Sequence, residues 1–327
     1  MGAGLGQTGE VARLVPRYVD TEGTASRGPV SIVAKVATSN EARRKASMRV
    51  ALYEREVNFY KHVADKVSLK SPRSYFADVD PDGEFFMLLL EDFPHHRAGD
   101  QIEGTSRDEA VLGIEQLAKL HAPFWNKPLP VQMVERRQPR PVDRYRVAWE
   151  IMERSFGDCM SAKFRAMRDA WLASVDALAA WSIAAPRTVR HGDFKADNLL
   201  FAPCSEADAI VALDWQSVSL SKAVTDVAYF ITHNMGVEKR KAHEQELLRL
   251  YAERIGEYGV DYPWAVLIDE YRTALLSNLS YIVHICGVNV NSNPKAIIRK
   301  QRLVERISSS IEDWNLVELL PFKANVG

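Results

Sequence analysis

Cysteine is scarce in this 327-residue chain: Cys159, Cys204 and Cys286 are odd in number and far apart. They exclude a disulfide framework and a cysteine-built zinc site, and they predict a reducing, cytoplasmic setting. Long apolar runs are lacking too. The longest, Phe85 to Leu90, falls far short of the roughly 20 residues a spanning helix needs. No charged-then-apolar leader opens the chain, and Gly6 stands where N-myristoylation wants Ser or Thr. Charge of one sign is absent: 42 Lys and Arg oppose 43 Asp and Glu, for a net charge of −1. That gives no basic excess for nucleic acid. No repeat or low-complexity tract occurs. With 46% apolar and 26% charged residues, the composition is that of an ordinary globular protein long enough for two lobes.

Two polar clusters welded to short apolar runs stand out. The first is His191-Gly192-Asp193-Phe194-Lys195-Ala196-Asp197-Asn198-Leu199-Leu200-Phe201; the second is Ile210-Val211-Ala212-Leu213-Asp214-Trp215-Gln216. The apolar runs predict two buried strands around a turn over Pro203 to Asp208. Such a hairpin places Asp193, Asn198 and Asp214 near one another. One acid can take a proton from a hydroxyl, while the Asn amide oxygen and the other acid are hard ligands suited to Mg²⁺. This is the equipment of phosphoryl transfer.

His-Gly-Asp, Asn five residues on and then Leu-Asp-Trp-Gln resemble the aminoglycoside phosphotransferase and choline kinase-like families. Gln216 with Asp226-Val-Ala-Tyr-Phe-Ile resembles the ecdysteroid kinase-like branch most. Protein kinases differ, carrying Arg at the place of Gly192 and Asp-Phe-Gly at that of Asp-Trp-Gln. The resemblance implies a two-lobed, protein-kinase-like α+β fold, with a small antiparallel-sheet lobe over residues 1–94 and a larger, mostly helical lobe over 95–327. It implies ATP and Mg²⁺ as cofactors and a small-molecule hydroxyl as acceptor; ATP versus GTP stays open, as does oligomeric state.

The remaining candidates fall in chain order. Gly4-Leu5-Gly6-Gln7-Thr8-Gly9 is a G-x-G-x-x-G before a strand-like Val11 to Val15. Such a loop covers ATP phosphates in kinases, and Gly4, Gly6 and Gly9 are its candidates; a plain Gly-rich terminus reads equally well. Relatives have a strand ahead of this loop, so an edge strand is missing or the start is truncated. Val30 to Ala37 reads as a buried strand with Lys35 inside it. A Lys there snorkels or meets an anion, and the resemblance makes it the ATP-phosphate Lys. A helix is predicted over Asn40 to Ala64. Glu56 falls between its two apolar stripes, Glu54 on the opposite flank. An enclosed acid needs a cation, so Lys35 is expected to pair with Glu56; Arg49 on the same helix is the alternative. Pro72 to Phe76 and Phe85 to Leu90 read as strands. Glu91-Asp92-Phe93 matches the family's hinge, where backbone groups meet the adenine.

Ser106 to Trp125 reads as a capped helix with His121 as scaffold, and residues 145–184 as helices rich in Trp, Phe and Met, either core or acceptor pocket. Lys195 occupies the place of the Lys in H-R-D-x-K, which implies that it offsets charge on the moving phosphoryl group; a solvated Lys beside an acidic site is the plainer reading. Asp226 follows Asp214 by 12 residues, too short for a protein-kinase activation segment. The resemblance makes Asp226 the buried acid that braces the catalytic loop; an N-cap is the plainer reading. Asp193 is then the group that orients or deprotonates the hydroxyl, Asn198 and Asp214 hold Mg²⁺, and the acceptor is expected to be largely uncharged and apolar, such as a lipophilic alcohol. A nucleotide-binding pseudokinase, a protein kinase and an aminoglycoside or choline-type kinase are the alternatives.

Overall fold

Short runs of β-branched and aromatic residues build the first sheet. In a computed structural model describing residues 8–18, 28–129, 141–203, 209–288 and 293–323, they form β1 (Gly9–Leu14), β2 (Ile32–Ala37), β3 (Ser74–Val79) and β4 (Phe86–Glu91). The sheet is antiparallel in the order β1-β2-β4-β3, with Lys35 opposite Val11 and Leu88. Along β4, Phe86, Leu88 and Leu90 are buried while Met87 is exposed, so one face packs and the other is wet.

The helix expected over residues 40–64 is two helices, α1 (Glu41–Met48) and α2 (Leu52–His62). The chain breaks at Ala51, whose φ of 51° and ψ of 38° are left-handed. The break leaves Ala46 exposed instead of extending the stripe, and lets the polar α1 lie apart from α2. α2 alone buries the apolar face, with Tyr53, Val57, Phe59 and Tyr60 inside.

The second lobe is mostly helical. After the short β5 (Arg97–Ala98) comes α3 (Arg107–His121), opened by a capping box between Ser106 and Glu109. Then follow α4 (Val142–Phe156), α5 (Ala162–Ala166), α6 (Arg168–Leu172) and α7 (Val175–Ile183). Trp149, Phe164 and Trp171 of this region are buried and meet at centroid distances of 5.3 and 5.5 Å, so most of its aromatic stripe is core. The strands β6 (Thr188–Arg190), β7 (Leu199–Phe201), β8 (Ile210–Ala212) and β9 (Ser219–Ser221) come next. β7 and β8 form the expected hairpin, β5 adds to β7, and β6 pairs with β9. α8 (Val224–Asn234) is buried on every side, as a helix at the centre of a bundle must be. α9 (Val237–Glu257), α10 (Trp264–Val288) and α11 (Pro294–Asp313) pack around it. The result is a two-lobed α+β fold.

Candidate active site

The His191–Asn198 loop is held from below by one buried acid. Asp226, in the first turn of α8, accepts hydrogen bonds from the backbone N–H groups of His191 (2.6 Å) and Gly192 (2.9 Å). His121 Nε2 lies 3.5 Å away and its Nδ1 meets the Tyr251 hydroxyl at 2.8 Å. Burial alone would raise the Asp226 pKa; the His121 hydrogen bond and the Arg190 charge outweigh it and hold the acid below the usual carboxylate range. Gly192 adopts φ +79°, and a Cβ there would stand 2.5 Å from the Ser217 carbonyl oxygen. Only Gly fits that approach, which explains Gly in the place of Arg. His191 donates from Nε2 to the Leu213 carbonyl (3.0 Å) and accepts the Asp193 N–H at Nδ1 (3.3 Å), a neutral imidazole. Burial keeps its pKa low.

The loop presents Asp193 with both carboxylate oxygens engaged. Oδ1 accepts from the Tyr229 hydroxyl at 2.7 Å, and Oδ2 from Lys195 Nζ at 2.7 Å and Asn198 Nδ2 at 3.1 Å. Asn198 Nδ2 also donates to the Asp193 carbonyl (2.9 Å), so its Oδ1 is the atom available to a ligand. For Lys195, burial would lower the pKa, but the Asp193 charge raises it, so the ammonium stays protonated.

The β7–β8 hairpin brings Asn198 and Asp214 together, with Leu213 N–H donating to the Asn198 carbonyl at 2.8 Å. Asp214 is left-handed, with φ 66° and ψ 68°. Its Oδ1 accepts from Lys35 Nζ (2.7 Å) and its Oδ2 from Gln216 Nε2 (3.1 Å). Lys35 Nζ also reaches both oxygens of Glu56 at 2.8 Å. Glu56 is 1% exposed, whereas Glu54 is half-buried and makes no ion pair among the described residues. Burial opposes the charge on Lys35, yet the two acids raise its pKa. Burial pushes Glu56 up, while Lys35 holds Asp214 below its usual range against the same penalty. Trp215 stacks on Phe59 of α2 at 3.6 Å, locking the hairpin to the helix that carries Glu56.

An apolar cavity of about 450 Å³ opens between the lobes. Val11 and Val33 line it from the first sheet, Leu200 and Leu213 from the hairpin; Lys35, Asn198 and Asp214 also line it. Glu91, Asp92 and Phe93 border it, but the Asp92 carboxylate is taken by Ser31 (2.6 Å) and Arg13 (2.7 Å), so that side chain fastens strands to the connection. Gly4 and Gly6 lie outside the described residues. Gly9 opens β1 on the cavity wall. The adjoining Thr8 donates its hydroxyl to Gln216 Oε1 (2.7 Å) and its carbonyl accepts from the Tyr53 hydroxyl (2.5 Å). This pins the end of the Gly-rich stretch beside Asp214.

A second cavity, about 1020 Å³, borders the same loop at Gly192 and the turn after Asp214 at Ser217, and runs between α2, α4, α7 and α10. Trp171, Leu178 and Leu276 are among its apolar walls, and three arginines also line it. Sequence reasoning did not single out these arginines, Thr8 or Tyr229. Tyr229 had one usable signal: it lies three residues after Asp226, on the same helical face.

The arrangement can hold an apolar planar group in the smaller cavity, an anion at Lys35, a hard cation at Asn198 and Asp214, and a hydroxyl at Asp193. Among solved structures, a candidate aminoglycoside phosphotransferase from Ralstonia eutropha JMP134 is similar over 97% of this chain and 95% of its own, at 16% identity and a TM-score of 0.53. A choline kinase from Cryptosporidium parvum Iowa II covers 95% and 92%, at 13% identity and 0.54. A microcompartment-associated aminopropanol kinase covers 88% and 85%, at 14% and 0.55. These likenesses show a kinase-like fold. No curated protein matches the chain in sequence. The family model of the ecdysteroid kinase-like proteins matches residues 8–259, most of the chain. The chain belongs to the ecdysteroid kinase-like family.

Proposed function

We propose that this protein transfers the γ-phosphate of ATP to a hydroxyl of a small molecule with a lipophilic body. One observation carries the reading: Lys35, held by Glu56 and Asp214 in an apolar cavity, lies one hairpin away from an Asp193 whose two oxygens are both fixed. We set the boundary between a nucleotide-binding lobe and a catalytic lobe at Pro94. The adenine occupies the space between Val11 and Val33 and Leu200 and Leu213, against Glu91 to Phe93. Lys35 binds the α- and β-phosphates, and Gly9 and Thr8 stand over them.

The donors fit Mg²⁺. Among the described residues no cluster of three His, Cys, Asp or Glu forms a dedicated cage. Asn198 Oδ1 and the Asp214 carboxylate instead offer the sparse oxygen set that Mg²⁺ takes when phosphates and water complete its shell. Bound there, Mg²⁺ supplies charge neutralisation at the phosphate oxygens. Asp193 orients the acceptor hydroxyl and takes its proton. The acceptor oxygen bonds to the γ-phosphorus as the bond to the β–γ bridging oxygen breaks and ADP leaves. Lys195 fixes Asp193 and offsets charge on the moving group. Among the described residues a single carboxylate, Asp176, lines the larger cavity, which gives little to meet the cationic charge of choline or an aminoglycoside.

Melting the protein with ATP, with and without Mg²⁺, tests the nucleotide half. At about a hundred times its dissociation constant ATP adds about 2.7 kcal/mol. The gain is expected only with Mg²⁺, and Asp214→Asn should remove most of it. An equal shift without the metal overturns the assignment.

A further inference from the structure

Gln216 is engaged at both ends of its side-chain amide. Its Nε2 donates to Asp214 Oδ2 (3.1 Å) and its Oε1 accepts from the Thr8 hydroxyl (2.7 Å). A carboxylate only accepts, so Asp214 decides which end of the amide faces it, and the carbonyl is left for Thr8. A Glu at this place could not donate to Asp214, and an aliphatic side chain could serve neither neighbour. The amide thus links the acid at the foot of the hairpin to the residue just ahead of β1.

Both ends of the link rest on fixed structure, and α2 carries both. The Thr8 carbonyl accepts from the Tyr53 hydroxyl of α2 at 2.5 Å. Gln216 lies in the turn Trp215–Ser217, whose Trp215 ring stacks on Phe59 of the same helix. Between Thr8 and β1 the chain runs close over Lys35: a Cβ added at Gly9 would stand 3.0 Å from the Val36 carbonyl oxygen and 3.4 Å from Lys35 Cε.

The other hold on Asp214 is divided. Its Oδ1 shares Lys35 Nζ with both oxygens of Glu56, and in the phosphotransferase reading Lys35 also meets the ATP phosphates. The bond from Gln216 to Oδ2 stands outside that competition. The left-handed backbone of Asp214 adds a reason for the side chain to need a second restraint.

We propose that Thr8 and Gln216 are positioning residues for Asp214. The Thr8 hydroxyl orients the Gln216 amide, the amide fixes the Asp214 carboxylate, and the seating of the Gly-rich stretch thereby sets the affinity for Mg²⁺ at Asn198 and Asp214. The inference rests on the phosphotransferase reading and adds to it a coupling between the phosphate-covering segment and the metal acid.

The test follows thermal stabilisation of the full chain by a fixed, high concentration of a non-hydrolysable ATP analogue as Mg²⁺ is raised. It reads the Mg²⁺ concentration at half the full shift. Gln216→Met keeps the length of the side chain and removes the amide; it should raise that concentration about tenfold, the lower end of what a partner behind a metal ligand contributes. Thr8→Val keeps the shape and removes the hydroxyl; it should raise it about fivefold, the worth of one neutral hydrogen bond. Thr8→Ser restores the hydroxyl and should keep the wild-type requirement. The double variant Thr8→Val with Gln216→Met should be no worse than Gln216→Met, because both changes break one chain. At saturating Mg²⁺, Thr8→Val should bind the analogue as the wild type does. Melts without nucleotide check that each variant is folded, and the two Thr8 variants decide the matter even where Gln216→Met does not fold. An unchanged Mg²⁺ requirement in Thr8→Val, an equal shift in Thr8→Val and Thr8→Ser, effects that multiply in the double variant, or a loss of analogue affinity that saturating Mg²⁺ does not restore would each overturn the proposal. A wild type that the analogue stabilises equally without Mg²⁺, or not at all, would instead strike the phosphotransferase reading itself, so the two failures are distinguishable.

Discussion

Replacing Glu56 by Gln removes one of the two carboxylates that hold Lys35. Both acids stand within 2.8 Å of Nζ. At an effective dielectric constant of about 20, each attraction is worth about 6 kcal/mol gross. Little of that is net, because all three groups are drawn out of water. Removing a partner from a buried pair costs about 3–5 kcal/mol when a lone charge is left behind. Here Lys35 keeps Asp214, and Gln keeps an oxygen that accepts one hydrogen bond. We therefore expect a smaller loss, about 1–2 kcal/mol in urea unfolding. Activity should suffer more. Held by Asp214 alone, Lys35 shifts toward that acid, and a displacement of about 1 Å at a positioning group costs up to about a hundredfold. Glu54→Gln is the control, since Glu54 makes no ion pair among the described residues; it should stay within about 0.5 kcal/mol of wild type and retain turnover. The two variants are compared by urea melts and by kcat/KM for phosphate transfer. Wild-type behaviour of Glu56→Gln, or an equal loss in Glu54→Gln, refutes the reasoning.

Tyr229→Phe deletes the donor to Asp193 Oδ1; kcat should fall about tenfold with ATP affinity unchanged, and the buried oxygen left short of a partner should cost about 1–3 kcal/mol in a melt. Burial, helped by the nearby Arg306 and Lys195 charges, holds the His233 imidazole down to about 3, and neither ring nitrogen has a hydrogen-bond partner among the described residues. Its folded pKa lies below the unfolded 6.5, so the unfolded chain binds the extra proton and stability drops as pH falls below about 6.5, by about 2 kcal/mol at pH 5. His233→Phe should flatten that slope in melts between pH 7 and 5. Part of the slope should remain, because burial also keeps His191 neutral.

Much of the site is legible in sequence because it is local. Asn198 and Asp214 flank two apolar runs joined by a turn, and a hairpin leaves them nowhere else to go. Glu56 could be told from Glu54 because both lie within α2, where the helical face decides burial. The break before α2 was not legible: Arg49 to Ala51 carry no Gly, Pro or capping residue to signal the left-handed turn at Ala51. The arginine-lined cavity was hidden for a different reason. Arg55, Arg144 and Arg190 come from α2, α4 and β6, and only the tertiary fold gathers them. Asp92 shows the converse: the sequence pointed to the segment after β4, but not to Arg13 and Ser31 occupying its carboxylate.

The central claim is that Asp193 works on an acceptor hydroxyl while ATP is held elsewhere. The direct measurement is transfer of labelled γ-phosphate to a panel of hydroxylated amphipathic molecules, with product read by mass spectrometry, in the wild type and Asp193→Asn. A positioned base contributes roughly 10² to 10⁴ in rate. Product formation is predicted to fall by that factor in Asp193→Asn with ATP–Mg²⁺ affinity unchanged. Tight ATP–Mg²⁺ binding with no phosphorylated product from any acceptor, or undiminished transfer by Asp193→Asn, would contradict it.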